Sequence, residues 1–181
     1  MSYFKIAFIS IAALFSSNVF AAKETINRCN ADVDCVKLAE ALYFEARGES
    51  QKGIIAVGQV IVNRTERDGF QDTVAGVVED KRYDEDKDKW YCQFSYVCKW
   101  MNSGKAPKMN TAQSNKMKII ARGVLDGTYP DYSNGADHFV AATIKTPAWA
   151  KRMAAVADIG GHVFYDSTKS AKYRQLASKQ L

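Results

Sequence analysis

The segment of residues 51–64 constrains the fold more than any other part of the chain. If it forms a helix, apolar side chains lie on most of its sides, at Ile54, Ile55, Val57, Val60, Ile61 and Val62. A helix of that kind must be covered by other elements over most of its surface. Ser50, a preferred N-cap residue, stands directly before it. The sequence therefore predicts a helical domain assembled around one central, buried helix.

A second helix is predicted directly before the central one. Asp32 or Asp34 can serve as its N-cap, and it extends to about Ala46. One face of this helix, at the helical spacing i, i+3, i+4 and i+7, contains Leu38, Ala41, Leu42 and Glu45. This face is apolar apart from the carboxylate of Glu45, and Gly48 ends the helix within the next turn.

Downstream of the central helix, the sequence predicts two further helical segments and one β element. A short helical turn is expected over residues 73–78 and a long helix over residues 111–126, with the mixed charge run 79–89 as a solvated loop between them. Residues 156–165 have the form of a tight β-hairpin with a Gly-Gly turn. The expected fold class is α+β and mainly α-helical, with a small β-hairpin near the C-terminus.

Residues 1–22 have the order of a secretory signal peptide. Lys5 precedes an apolar run over residues 6–15 that is too short to span a bilayer comfortably, and small residues follow. We expect cleavage after one of the two alanines that end this segment; an uncleaved membrane anchor is the alternative. Residues 23–181 suit a single domain and contain no segment with the apolar length of a membrane span. The predicted product is exported, periplasmic or secreted, and monomeric.

Charge and cysteine content narrow the classes of partner and cofactor. The formal net charge of +5 is mild and lies on scattered lysines and arginines, which does not indicate nucleic acid but suits an anionic polymer such as a bacterial cell wall. In an exported chain, the cysteines most simply form the disulfides Cys29–Cys35 and Cys92–Cys98, although the sequence leaves the other two pairings open. A four-cysteine zinc site would use tighter spacing. We expect no metal and no other cofactor.

Glu45 is the main candidate for chemistry. Burying a charged carboxylate is costly unless the group is paired or protonated. Burial and the negative end of the helix dipole therefore both raise the pKa of Glu45, as a general acid requires. Because the helix stops at Gly48, this end can open into a cleft. The alternative is that Glu45 forms a salt bridge with Arg47 or a distant lysine and does no chemistry.

One long block and several shorter motifs resemble a known family. The block is LAEALYFEARGESQKGIIAVGQVIVNR, and the motifs that follow it in order are QDTVAGVV, QFSYVCKW, GADHFV, PAWAK and IGGHVFYD. They resemble the SleB/CwlJ-type cell wall hydrolases, also called the spore cortex-lytic enzyme family. The resemblance implies a lysozyme-like fold, as in goose-type lysozymes and lytic transglycosylases, with Glu45 as the catalytic acid. It implies peptidoglycan glycan strands as substrate, cut between N-acetylmuramic acid and N-acetylglucosamine.

The number of available carboxylates bears on the mechanism. Ordinary glycosidases use two carboxylates, and Glu49, the only nearby second one, leaves the shared face if the helix ends at Gly48. This favours a lytic transglycosylase in which Glu45 acts alone. The alternatives are a muramidase-type hydrolase, an N-acetylmuramoyl-L-alanine amidase and, in another class, a non-catalytic peptidoglycan-binding module. The candidate substrate-binding residues are Glu49, Gln93, Ser95, His138 and Phe139.

Other polar and aromatic residues are weaker candidates. A catalytic zinc needs three protein ligands, and the two histidines, His138 and His162, lack the spacing of a zinc site. We interpret His162 as structural, and we expect Asn63 and Arg64 to hydrogen-bond neighbouring backbone. Candidates for a sugar-stacking platform are the three tryptophans, Trp90, Trp100 and Trp149.

Overall fold

The computed structural model describes residues 9–106 and 108–170. The elements in this part of the chain are α1 (Ile9–Asn30), α2 (Val33–Ala46), α3 (Gln51–Arg64), α4 (Val74–Glu79), β1 (Lys81–Asp84), β2 (Lys89–Cys92), α5 (Ser95–Ser103), α6 (Thr111–Leu125), β3 (His138–Ala141), β4 (Met153–Ile159) and β5 (His162–Ser170). The predicted α+β, mainly α-helical class is confirmed.

The predicted signal peptide falls partly outside the described residues. Residues 1–8 are not described, and residues 9–22 belong to α1. Within residues 9–106 and 108–170, no helix has both the length and the apolar character needed to cross a membrane. Export and cleavage stay predictions.

Helix α3 lies at the centre of the domain, as predicted. The Ser50 hydroxyl accepts a hydrogen bond from the Gly53 N–H at 3.2 Å and begins the helix. Helices α2, α4 and α6 pack against α3. A Cβ on Gly58 would come within 3.3 Å of Val124 on α6 and 3.5 Å of Leu42 on α2. The missing side chain therefore allows the three helices to approach closely.

Local signals also begin and end the two flanking helices. Asp32 caps α2 by accepting hydrogen bonds from the N–H groups of Asp34 and Cys35. Asn110 caps α6 in the same way, and Gly127 follows α6 with a φ of 65°, a conformation that favours glycine. The disulfides Cys29–Cys35 and Cys92–Cys98 are both present, which confirms the predicted pairing. They join α1 to α2 and β2 to α5.

A three-stranded antiparallel sheet in the order β3-β5-β4 packs against the helices. The predicted hairpin is confirmed as β4 and β5, and it extends beyond the residues expected at both ends. Strand β3 was not expected. Its residues, His138–Ala141, pair with the first four residues of β5. Phe164 on β5 is fully buried and anchors the sheet in the core.

The prediction that residues 79–89 form a solvated loop is wrong. This run contains β1 and the start of β2, which pair as an antiparallel hairpin. The cross-strand aromatic pair of Tyr83 and Trp90, with ring centroids 5.1 Å apart, supports the pairing. Asp88 adopts a φ of 47° in the turn. Charged residues stay exposed on the hairpin, so the charge pattern indicated exposure correctly but not secondary structure.

Candidate active site

Glu45 lies in the last turn of α2 and opens into a cleft. The cleft has a volume of about 330 Å³. Its walls are the end of α2, one face of α5 and the segment after α5, and its lining residues are Phe44, Glu45, Ser95, Tyr96, Lys99, Trp100, Ser103 and Lys105. We call this site the Glu45 cleft. A general acid that acts on a polymer needs this kind of position, at the wall of an accessible groove.

The Glu45 carboxylate is partly buried and has no hydrogen bond or salt bridge with any other described residue. Burial raises its pKa, and the positive charges of Lys99 and Arg64 oppose that rise without cancelling it. The nearby Arg47 does not pair with Glu45, because its guanidinium lies over the Tyr43 ring at 5.0 Å. Glu45 therefore combines a raised pKa with access to the cleft.

Arg64 is a buried cation whose charge acts on Glu45. Its side chain lies between the rings of Phe70 and Phe94, and its Nε donates to the carbonyl oxygen of Asp137 at 2.7 Å. Burial lowers the pKa of Arg64 to about 10, although Asp137 and Glu45 act against this change. The expectation that Arg64 bonds to backbone is confirmed.

The expectation that Asn63 bonds to backbone is also confirmed, since its Nδ2 donates to the carbonyl oxygen of Ala136 at 2.8 Å. Together the last two residues of α3 hold the segment before β3 in place.

Aromatic rings form one wall of the Glu45 cleft. Phe44 stacks on Tyr96 with centroids 4.6 Å apart and an interplanar angle of 28°. The Tyr96 hydroxyl is buried, and no described residue hydrogen-bonds to it. Burial, reinforced by nearby carboxylates that include Glu45, raises the pKa of Tyr96. Of the three candidate tryptophans, Trp100 lines the cleft, whereas Trp90 and Trp149 do not.

Glu49, four residues after Glu45, has a different environment. Its Oε2 accepts a hydrogen bond from the Gly161 N–H at 2.7 Å, and its Oε1 lies 3.7 Å from Nδ1 of His162. A Cβ on Gly160 would clash with Oε2 of Glu49. Glycines in the β4–β5 turn therefore let the backbone approach this carboxylate. Glu49 ties the hairpin to the start of α3 and does not line the Glu45 cleft.

The structure brings Ser95 into the Glu45 cleft but leaves the other predicted substrate-binding residues out of its lining. Gln93 is exposed just before α5. His138 contacts the buried carboxylate of Asp137 at 2.8 Å through Nδ1, and Phe139 packs against His162 and Phe164. A role in substrate binding stays a prediction for Glu49, Gln93, Ser95, His138 and Phe139.

Asp137 organises the sheet next to His138. Burial alone would raise its pKa, but hydrogen bonds from His138 and from the backbone and hydroxyl of Ser167 outweigh burial and hold the pKa at about 2. Within residues 9–106 and 108–170, no group of three or more His, Cys, Asp or Glu side chains is placed to hold a metal.

Sequence reasoning named Glu45, Ser95 and Trp100 of the cleft lining but missed the other residues, which include Tyr96 and Lys99, and missed the helix that carries them. Tyr96, Lys99 and Trp100 stand at i, i+3 and i+4 on α5, a helix that was not predicted. The helical spacing of these residues was the available signal, but Phe94 at the N-cap position makes no side-chain capping bond.

A family model described as Cell Wall Hydrolase matches residues 48–165, more than half of the chain. The chain belongs to the cell wall hydrolase family. The matched range begins three residues after Glu45, so it contains Glu49 and the α5 side of the cleft but not the candidate acid itself.

Curated relatives and solved structures agree with this family. A spore cortex-lytic enzyme of Oceanobacillus iheyensis is 47% identical over 49 residues, and one of Halalkalibacterium halodurans is 46% identical over 48 residues. These segments cover 27% and 26% of this chain but only 18% and 14% of those relatives.

Two solved structures share the fold. The catalytic domain of the Bacillus cereus SleB protein matches with a TM-score of 0.52 at 23% identity, over 74% of this chain and 90% of that one. The catalytic domain of a germination-specific lytic transglycosylase, SleB from Bacillus anthracis, matches with a TM-score of 0.53 at 24% identity, over 75% and 95%. The domain therefore has the lysozyme-like fold of the SleB catalytic domains.

Proposed function

We propose that this cell wall hydrolase cleaves the glycan strands of peptidoglycan between N-acetylmuramic acid and N-acetylglucosamine, and that it does so as a lytic transglycosylase with Glu45 as its single acid and base. The observation that carries the proposal is the unpaired, partly buried Glu45 carboxylate on the wall of the cleft, with its raised pKa. The family membership and the likeness to SleB from Bacillus anthracis, a germination-specific lytic transglycosylase, support the same reaction class.

Each step of the reaction uses Glu45. The protonated side chain donates its proton to the glycosidic oxygen, and the bond between that oxygen and C1 of muramic acid breaks. The resulting carboxylate then accepts the proton of the muramic acid 6-hydroxyl, whose oxygen bonds to C1. The products are a free sugar hydroxyl and a 1,6-anhydromuramic acid end, and Glu45 is protonated again.

A single-carboxylate mechanism is supported by the composition of the cleft. Among the described residues that line it, Glu45 is the only one with a carboxyl group. The nearest carboxylate along the chain, Glu49, is occupied by the Gly161 N–H. Hydrolases with two catalytic carboxylates place both groups around the scissile bond. The Trp100 ring lines the cleft and is available to contact a sugar.

Mass spectrometry of digested sacculi tests the proposal and separates its alternatives. We expect anhydromuramic acid ends from the wild type and none from Glu45→Gln, which removes the acid but keeps the size. Reducing muramic acid ends would identify a muramidase-type hydrolase, and free peptides with intact strands would identify an amidase. Binding to sacculi without any product, in both proteins, would identify a non-catalytic peptidoglycan-binding module.

A further inference from the structure

Two lysines on the rim of the Glu45 cleft form no salt bridge with a described residue. Lys99 on α5 and Lys105 after it both line the cleft and are exposed. Neither ammonium group forms a salt bridge or hydrogen bond with another described residue, since the Lys105 bonds to Ser103 involve only its backbone. These two charges are therefore available to a ligand.

Lys37, which lies near the same cleft, differs from these two lysines because its ammonium group is paired within the fold. Its ammonium group lies 5.4 Å from the centre of the Trp100 ring. It contacts carboxylates of Glu40 at 3.4 Å and Glu79 at 2.7 Å. Carboxylates within the fold thus pair with Lys37, whereas Lys99 and Lys105 form no salt bridge with any described carboxylate, and the one carboxyl group near Lys99 is Glu45 itself.

The charge of the cleft depends on the state of Glu45. When Glu45 holds the proton that it donates, the cleft lining carries two positive charges and no negative one. Such a cleft attracts anions and disfavours cations. Where a peptide is attached, the lactyl carboxyl group of muramic acid is held in a neutral amide, so the negative charges of such a strand are the carboxylates of its peptides.

We propose that Lys99 and Lys105 bind carboxylates of the muramic acid peptides and thereby make the enzyme favour strands with free peptide carboxylates over strands in which these carboxylates are amidated. This inference rests on the proposed function and adds a specificity determinant to it. Because both lysines are exposed, each contact is of the weak surface kind. We therefore expect the two lysines to affect substrate binding, and so KM, more than the chemical step.

The test compares intact sacculi with sacculi whose carboxylates have been converted to amides by a carbodiimide and ammonium. We expect the KM of the wild type to rise roughly fivefold on amidated sacculi, because amidation removes two weak surface contacts whose binding free energies add. The double variant K99Q/K105Q should show that raised KM on intact sacculi and respond little to amidation. The double variant K145Q/K151Q removes two exposed lysines that do not line the cleft, and it should behave as the wild type.

Two results would overturn the inference while leaving the proposed function intact. One is an equal KM of the wild type on both substrates, and the other is a K99Q/K105Q variant that stays as sensitive to amidation as the wild type. The single variant K105Q is the cleaner probe, because Lys105 is not among the charges that shift the pKa of Glu45.

A binding measurement separates this inference from failure of the proposed function. Cosedimentation of Glu45→Gln with intact and amidated sacculi reports binding without cleavage. We expect roughly fivefold weaker binding to the amidated material, an effect that K99Q/K105Q removes. Equal binding to both materials would overturn the role of the lysines even if no product is ever formed.

Discussion

Two glutamates four residues apart, Glu45 and Glu49, end in opposite environments. The Glu45 carboxylate opens into a cleft and has no partner among the described residues, whereas the Glu49 carboxylate accepts the Gly161 N–H at 2.7 Å. Burial raises the pKa of Glu45. The comparison shows that residue type and proximity along the chain do not assign a role. What differs between the two glutamates is whether the fold leaves the carboxylate unpaired, and the proposed role of Glu45 rests on that difference.

The largest expected effect is on activity at Glu45. Loss of a general acid costs about 10²- to 10⁴-fold in rate, so Glu45→Gln should lower kcat on sacculi by at least 100-fold. The melting temperature should stay close to that of the wild type, because the carboxylate has no partner to lose. Rates from dye-labelled sacculi and a thermal melt check both statements. A variant that keeps its activity would remove Glu45 from the mechanism.

The next effect is on stability at the turn that receives Glu49. Gly160→Ala places a side chain on a residue with a φ of 61° and brings its Cβ into a clash with Oε2 of Glu49. Strain and the lost charged hydrogen bond should together lower the free energy of unfolding by about 2–4 kcal/mol.

Gly127→Ala is the matched control for this change. Gly127 has a φ of 65°, but an added Cβ would have no neighbour within 4 Å. This variant should lose only about 1 kcal/mol for the backbone strain. Urea denaturation measures both variants, and equal losses would show that contact with Glu49 contributes nothing.

Glu49→Gln should lower stability and leave activity nearly unchanged, the reverse of what is expected for Glu45→Gln. The amide can still accept from Gly161, but without charge, so the free energy of unfolding should fall by about 1 kcal/mol. Since Glu49 does not line the cleft, kcat should change by no more than about threefold, against the two or more orders of magnitude expected for the acid. A folded Glu49→Gln protein with no activity would instead indicate a second catalytic carboxylate.

The smallest expected effect is a change in pH dependence. A general acid must be protonated, so the rate falls as pH rises through the pKa of Glu45, and burial moves this limb above the range of an ordinary glutamate. The positive charge of Lys99 lowers the pKa of Glu45, so Lys99→Gln should move the alkaline limb of the pH profile of kcat to still higher pH. An unchanged limb would show that the limb does not report Glu45.

The same shift predicts how Glu45 affects stability. A carboxyl group with a raised pKa in the folded protein favours folding when protonated. Its contribution is therefore fully present below the unfolded pKa and is lost as pH rises through the folded pKa. In Glu45→Gln this part of the pH dependence of the unfolding free energy should disappear.

Local signals in the sequence predicted much of the fold correctly. Asp32 and Ser50 begin helices α2 and α3, and the Gly-Gly pair turns the β4–β5 hairpin, because caps and tight turns depend on a few neighbouring residues. The β1–β2 hairpin and α5 were missed. Their charged and uncapped sequences give weak local signals, and cross-strand pairing and the Cys92–Cys98 disulfide complete them.

The sequence by itself determined that a carboxylate would stand at the interrupted end of an apolar helix face, because helical period and a stopping glycine are local properties. Only the tertiary structure decided what that carboxylate faces. It placed α5 beside Glu45, with Lys99 and Trp100 in the lining of the cleft. It also brought Gly161, which is 112 residues later in the chain, into hydrogen-bond contact with Glu49. Burial and pairing depend on groups that are distant in the chain, so the raised pKa of Glu45 and the hydrogen bond of Glu49 arise only when the domain packs.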